Sequence, residues 1–175
     1  LPTLEDLEAK LGGLKSKRIL VRSDLNVPIT NGVIDDDLRL QESLGTLEWL
    51  MERKASVVVC SHLGRPAGER NDKYLISPVR ERLLEILPNL EVLENLRFNP
   101  GEESNEETFV NYLVSGAGGN PFDGYVNDAF GASHREHASI VGPPKTLPSA
   151  AGILLIREVE VVERILQRPK RPFLM

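Results

Sequence analysis

The chain has 175 residues, of which 41% are hydrophobic, and a formal net charge of −5. This length and composition suffice for one domain with its own hydrophobic core and exclude a disordered or collagen-like chain. The acidic balance argues against a nucleic-acid or anionic-membrane partner, and no apolar stretch reaches the roughly 20 residues of a membrane-spanning helix. With a single cysteine, Cys60, inside an apolar run, the sequence predicts a cytoplasmic protein with a buried, reduced thiol.

Short β-branched runs alternate along the chain with helical segments. In chain order we predict an amphipathic segment at 1–14, a strand at 18–28, an extended piece at 33–34, a helix at 38–51, a strand at 55–60, a helix at 75–87, a strand at 92–93, a helix at 108–114, a strand at 124–126 and an amphipathic helix at 149–167. This order is typical of parallel strands joined by crossover helices. The predicted fold class is α/β, a parallel sheet with helices on both faces in three α/β/α layers.

An acidic triplet, Asp35, Asp36 and Asp37, precedes the second helical segment. Carboxylates favour helix N-termini, whereas a metal ion needs ligands that converge from different parts of the chain. We therefore interpret the triplet as a helix start and assign no metal site.

Polar and charged residues follow each predicted strand. The first strand ends through Arg22, Asp24 and Asn26, the second through His62 and Arg65, the third through Arg97, and the fourth through Asn127, Asp128, His134 and Arg135. Ligands of open α/β sheets bind beyond the carboxyl ends of the strands, and arginine pairs well with phosphate or carboxylate. With Arg39 nearby, the sequence predicts a local basic basin for a small polyanion such as a phosphorylated hydroxy acid.

Structural roles remain alternatives for individual members of this set. A single arginine is often only a surface ion pair, and His62, His134 and His137 can each be structural imidazoles. No nucleophile elbow surrounds Ser61, which argues against a hydrolase.

Two phosphate-binding motifs are missing from the sequence. The glycines at 116, 118 and 119 precede a strand, whereas a dinucleotide fingerprint follows one, and no GxxxxGK[ST] motif occurs. An oxidoreductase would need its fingerprint directly after the first strand, where the sequence has SDLNVP. We expect no nucleotide site in this chain.

Four segments, VRSDLNVP, SHLGRP, ENLRF and VNDAFGASHREHAS, occur in this order and closely resemble the signature segments of phosphoglycerate kinases. The resemblance covers nearly the whole chain and implies the N-terminal, substrate-binding domain of that two-domain enzyme, with a Rossmann-like parallel sheet. It implies that residues 1–168 form this domain, ending in a long interdomain helix, and that 169–175 begin a nucleotide-binding domain.

The resemblance also assigns roles to residues. Asp24, Leu25 and Asn26 would contact the glycerate portion of 3-phosphoglycerate; His62, Leu63, Gly64, Arg65, Arg97 and Arg135 would surround its phosphate; and Arg39 would face the reacting carboxylate and stabilise the transition state.

The implied reaction transfers a phosphoryl group between 1,3-bisphosphoglycerate and ADP, in glycolysis toward ATP. Mg²⁺ and ADP or ATP are expected on the second domain and not on this chain, which alone would bind substrate without turnover. The alternative is a stand-alone anion-binding module of the same fold.

The sequence departs from the family pattern in one segment. Only residues 66–93 separate SHLGR from ENLRF, where the family usually has another helix and strand. Either a deletion or a gap in the sequence explains this difference. A real deletion of a strand with its crossover is expected to affect stability more than the site.

Overall fold

A computed structural model describes residues 1–167, and the predicted start of a second domain at 169–175 lies outside these residues. The strands are β1 (Arg18–Ser23), β2 (Ile29–Thr30), β3 (Val33–Ile34), β4 (Ser56–Cys60), β5 (Glu91–Val92), β6 (Gly124–Asp128) and β7 (Ser149–Ala151). The helices are α1 (Leu4–Leu11), α2 (Leu38–Glu52), α3 (Ser77–Ile86), α4 (Pro100–Ser104), α5 (Glu107–Val114), α6 (Ala138–Val141) and α7 (Ile153–Gln167).

Five strands form one parallel sheet in the order β5-β4-β1-β6-β7. The central strand β1 pairs with β4 on one side and with β6 on the other, while β2 and β3 form a separate antiparallel hairpin. The predicted α/β class with a parallel sheet is confirmed. This order places the carboxyl ends of β4, β1 and β6 side by side.

Successive residues of the central strand serve opposite faces of the sheet. Ile19 and Val21 pack in a core cluster with α1, α2 and α3, whereas Leu20 packs in a second cluster with Phe109 of α5 and Ala138 of α6. Both faces are covered by helices, which explains the continuous apolar runs of β1 and β4 and confirms the three layers. Cys60 is fully buried in the second cluster, and burial raises its pKa to about 12.

The predicted helix at 149–167 is wrong in its first turn. Ser149–Ala151 instead forms β7, parallel to β6, and α7 begins only at Ile153. The helix start is fixed by distant side chains, because Thr46 Oγ1 accepts from Ile153 N at 2.9 Å and Asp128 Oδ1 accepts from Leu155 N at 3.0 Å. Beyond this start, Leu155 is the buried residue of α7, and the residues from 160 to 167 are exposed.

Strand β1 was predicted to extend to Pro28. It ends at Ser23, because the chain leaves the sheet at Asp24. The third predicted strand is shifted by one residue, to Glu91–Val92. No helix within residues 1–167 is long and apolar enough to cross a membrane.

The short strand β5 forms one edge of the sheet. Leu93 N donates to Val59 O of β4 at 2.8 Å, so the preceding carbonyl, that of Val92, points away from the sheet. Arg80 of α3 covers this carbonyl, donating from Nε at 3.2 Å and from Nη2 at 3.1 Å. An exposed edge carbonyl is thereby satisfied within the chain.

The acidic triplet was predicted to start α2, and Asp36 makes such a contact. Asp36 Oδ1 accepts from Leu38 N at 2.8 Å, which supplies a cap for the helix. Asp37 instead accepts from Gln41 and Arg82, and these hydrogen bonds lower its pKa.

Candidate anion-binding site

A cavity of about 270 Å³ lies where the carboxyl ends of β1, β4 and β6 meet the segment after β5. Its lining residues are Asp24, Asn26, Arg39, His62, Gly64, Arg65, Arg97, Gly131, Ala132 and Arg135. The structure thus brings together every residue that the family resemblance assigns to the substrate, except Leu25 and Leu63. The volume suits a small metabolite, being near the lower end of ligand pockets.

The charge of the cavity is strongly positive. Four of its residues are arginines, and Asp24 is the one carboxylate in its lining. Arg39 forms an ion pair with Asp24, whereas Arg65 and Arg135 are exposed and contribute their guanidinium groups to the cavity wall. An anion with more than one negative charge is the natural ligand of such a wall.

Arg97 is held differently from the other arginines. It is 5% exposed, and its Nη1 donates to Gly64 O at 2.8 Å. Its Nε lies 3.1 Å from Glu103 Oε1, but the N–H is not directed at that oxygen and has no hydrogen-bond acceptor among residues 1–167. Burial lowers the pKa of Arg97, although a guanidinium stays charged in proteins.

Gly64 joins the two sides of the cavity through its backbone. Its N–H donates to Asn26 Oδ1 at 2.8 Å, and its carbonyl accepts from Arg97. Gly64 has a φ of 62°, and a Cβ there would come within 2.3 Å of the Tyr74 ring. Only glycine fits this turn without displacing Tyr74.

Leu25 and Leu63 were predicted as substrate contacts, yet their side chains lie in the hydrophobic core. The backbone N–H of Leu25 donates to Ser61 Oγ at 3.0 Å, and that of Leu63 donates to Asn95 Oδ1 at 3.2 Å. These bonds fix the loops that carry Asn26 and Gly64. Ser61 is buried, and its Oγ anchors the backbone N–H of Leu25.

His62 combines both roles that the sequence left open. It lines the cavity, yet it is only 8% exposed, and its Nδ1 lies 2.9 Å from Nη2 of Arg22. Burial, followed by the neighbouring Arg22 charge, lowers the pKa of His62 to about 2. The imidazole is therefore neutral.

Arg22 lies outside the basic cavity, contrary to the sequence prediction. The sequence places it among the basic strand ends, but it is 0% exposed and does not line the cavity. Its guanidinium lies beneath the site and donates to Ser139 Oγ from Nε at 3.0 Å.

Three other strand-end residues also lie outside the cavity lining. Asn127 donates to Ser133 Oγ at 3.0 Å, Asp128 is buried at the start of α7, and His134 is exposed. The remaining histidine, His137, is 6% exposed, and burial lowers its pKa. Its position fits the structural role left open by the sequence.

Gly131 and Ala132 line the cavity and were missed by sequence reasoning. A Cβ on Gly131 would lie 2.8 Å from Asp24 Oδ2, so this glycine allows the close approach of the Asp24 carboxylate. The signal was present as two small residues in the segment FGAS after β6, but small residues carry no polar group to draw attention.

A second cavity, of about 370 Å³, adjoins the first and shares Asp24, Arg39 and Gly131 with it. Leu154 and Glu158 of α7 form part of its wall. Arg39 therefore lies at the boundary between the basic cavity and the space beside α7.

Fold and site together define an α/β protein with a basic cavity at the carboxyl edge of a parallel sheet. The phosphoglycerate kinase family model matches residues 9–92 and 88–175. The chain belongs to the phosphoglycerate kinase family.

Individual relatives agree with this assignment. A phosphoglycerate kinase of Thermomicrobium roseum is 41% identical over 197 residues, covering 99% of this chain and 48% of its own. The structure of phosphoglycerate kinase from Coxiella burnetii superposes with a TM-score of 0.82 at 34% identity, covering 91% of this chain and 45% of its own. That of Pyrococcus horikoshii OT3 superposes with a TM-score of 0.83 at 27% identity, covering 98% and 47%. The chain spans about half the length of the curated relatives it matches.

The comparisons also bear on the short segment before ENLRF. The alignment with the Thermomicrobium roseum protein is longer than the 175 residues of this chain, and the two family-model matches meet at 88–92. These overlapping residues include the edge strand β5, so the break between the two family-model matches falls at this strand.

Proposed function

We propose that this chain is the 3-phosphoglycerate-binding half of a phosphoglycerate kinase. The whole enzyme would transfer a phosphoryl group between 1,3-bisphosphoglycerate and ADP in glycolysis. Family membership supports the reaction class, and the basic cavity supports the half of the reaction assigned to this chain. The single observation that carries the proposal is the convergence of four arginines with Asp24 and Asn26 in a cavity of about 270 Å³.

The cavity has groups suited to each part of 3-phosphoglycerate. Arg65, Arg97 and Arg135 would bind the phosphate, because guanidinium groups donate paired hydrogen bonds to phosphate oxygens. The carboxylate of Asp24 and the amide of Asn26 would bind the hydroxyl and the glycerate backbone.

Arg39 is the residue we propose as catalytic. The attacking carboxylate is already an anion, so phosphoryl transfer depends on positioning and charge neutralisation more than on proton transfer. The side chain of Arg39 is 53% exposed and paired with Asp24, at the boundary with the second cavity. It would exchange part of this pairing for the reacting carboxylate and the transferring phosphoryl group.

The nucleotide and Mg²⁺ would be bound by a second domain of the same enzyme. The chain spans about half of its relatives' length, which supports a partner domain, and we place ADP or ATP with Mg²⁺ there. This chain's own part is to bind, orient and neutralise the phosphorylated substrate. We assign no Mg²⁺ ligands to the residues that line the cavity.

The test is the affinity for 3-phosphoglycerate, measured by calorimetric titration of the wild-type chain and of Arg65→Ala and Arg97→Ala. Each of the two substitutions should weaken binding of 3-phosphoglycerate by roughly 1.5–3 kcal/mol, or about 10- to 150-fold, which is the range of hydrogen bonds to charged groups. Arg70→Ala is the matched control, because Arg70 is exposed and nearby but lies outside the cavity lining.

Arg97 also supports the Gly64 loop, so the stability of that variant must be measured in parallel by urea unfolding. Arg65 is exposed, and its variant should unfold as the wild type does. Unchanged affinity in Arg65→Ala and Arg97→Ala, or an equal loss in Arg70→Ala, would contradict the site assignment.

A further inference from the structure

A buried arginine beneath the cavity contacts the one imidazole in its wall. Arg22 Nη2 lies 2.9 Å from His62 Nδ1. A guanidinium has donors and no acceptor, so His62 Nδ1 must accept this hydrogen bond and carry no proton. We propose that Arg22 is a positioning residue that fixes His62 as the Nε2–H tautomer, so that His62 offers the cavity a neutral hydrogen-bond donor. The ligand of that donor rests on the proposed function, but the tautomer does not.

The orientation of Arg22 is fixed by a buried chain of hydrogen bonds. Its Nε donates to Ser139 Oγ at 3.0 Å, and Ser139 Oγ donates to Glu102 Oε1 at 2.6 Å. Ser139 N also donates to Glu102 Oε2 at 3.0 Å. Glu102 is 0% exposed and balances the charge of the equally buried Arg22 through the serine.

The groups around His62 all oppose a second proton on its ring. Arg22 approaches from β1, Arg97 from the turn after β5, and Arg135 and His137 from the segment after β6. With the loss of solvation on burial, these neighbours keep the imidazole neutral across the physiological range. The ring nitrogen left for a ligand is Nε2.

This arrangement has a chemical consequence for recognition. A neutral Nε2–H group selects an acceptor, such as a phosphate or carboxylate oxygen, and contributes no charge that varies with pH. The contribution of His62 to binding should therefore be constant between pH 5 and pH 8, in contrast to that of an imidazolium. The arginines supply the charge, and His62 supplies a fixed direction.

The test is two-bond ¹H–¹⁵N NMR of the ligand-free chain labelled in histidine, recorded from pH 5 to pH 8. His62 should show an unprotonated Nδ1 and a protonated Nε2 throughout, with exposed His134 as an internal reference. A proton on Nδ1, or an imidazolium forming within this range, would overturn the proposal. Since no ligand is present, failure of the proposed function would leave this result unaffected.

Variants test whether Arg22 is the cause. In Arg22→Gln the amide can accept as well as donate, so His62 should become a mixture of tautomers, and 3-phosphoglycerate affinity should fall about tenfold, as for loss of a charged hydrogen bond. An unchanged single tautomer in this variant would contradict the assignment. If Arg22→Gln does not fold, Arg22→Lys replaces it as the test variant. An ammonium group is also only a donor, so His62 should retain the Nε2–H tautomer in Arg22→Lys. A proton on Nδ1 of His62 in this variant would contradict the assignment.

Discussion

Acidification should destabilise the domain through His62. Burial and the Arg22 charge lower the folded-state pKa of His62 to about 2, whereas an unfolded histidine titrates near 6.5. A base with a lowered folded-state pKa contributes stability that is complete above the unfolded pKa and is lost as pH falls below it. Each pH unit below that point costs up to about 1.4 kcal/mol, so His62 alone should remove about 2 kcal/mol between pH 8 and pH 5.

This loss is measured by urea unfolding of the wild type and of His62→Asn at pH 8 and pH 5, with the fluorescence of Trp49 as the signal. The asparagine Oδ1 can accept from Arg22 near the place of Nδ1 but cannot be protonated in this range. The stability gap between wild type and variant should narrow by about 2 kcal/mol at pH 5. His134→Asn, at an exposed position, is the control and should leave the pH dependence nearly unchanged. If the difference in unfolding free energy between the wild type and His62→Asn is the same at pH 8 and pH 5, the reasoning is refuted.

Two further predictions concern the sheet edge and the start of α7. Arg80→Ala should uncover the edge carbonyl and increase self-association in analytical ultracentrifugation, whereas Arg82→Ala on the same helix should not; equal behaviour of the two would count against an edge-covering role. Gly152→Ala would place a Cβ 2.2 Å from Asp128 Oδ1 and should destabilise the domain by roughly 1–3 kcal/mol in urea unfolding. Gly45→Ala, where the nearest heavy atom lies 4.0 Å away, should be neutral or slightly stabilising, and similar losses in both would exclude the steric explanation.

The sequence predicts the sheet and the site well where local pattern decides. The apolar runs around Val21 and Val58 specify strands buried on both faces, and polar residues after them must meet at one edge of a parallel sheet. This argument predicts the positions of Arg65 and Arg135 in the cavity independently of the family resemblance.

Tertiary contacts explain what the sequence did not reveal. Arg22 was expected in the basin, but its charge is balanced by Glu102 through Ser139, and these residues are far apart in the chain. Local pattern cannot show such pairing, so a buried arginine and an exposed one look alike in the sequence.

The strand at Ser149–Ala151 was missed for a related reason. Serine and alanine have little strand preference, and the helical periodicity that follows extended naturally backward over them. Pairing with β6 and the caps from Thr46 and Asp128 decide the boundary, and both come from distant parts of the chain.

The central claim, that the basic cavity binds a phosphorylated three-carbon acid, is tested most directly by calorimetric titration of the wild-type chain with 3-phosphoglycerate and, separately, with Mg-ADP at moderate salt. We expect saturable one-to-one binding of 3-phosphoglycerate, weakened when inorganic phosphate competes for the arginines, and no binding of Mg-ADP. Binding of Mg-ADP without binding of 3-phosphoglycerate, or silence from both ligands, would contradict the account.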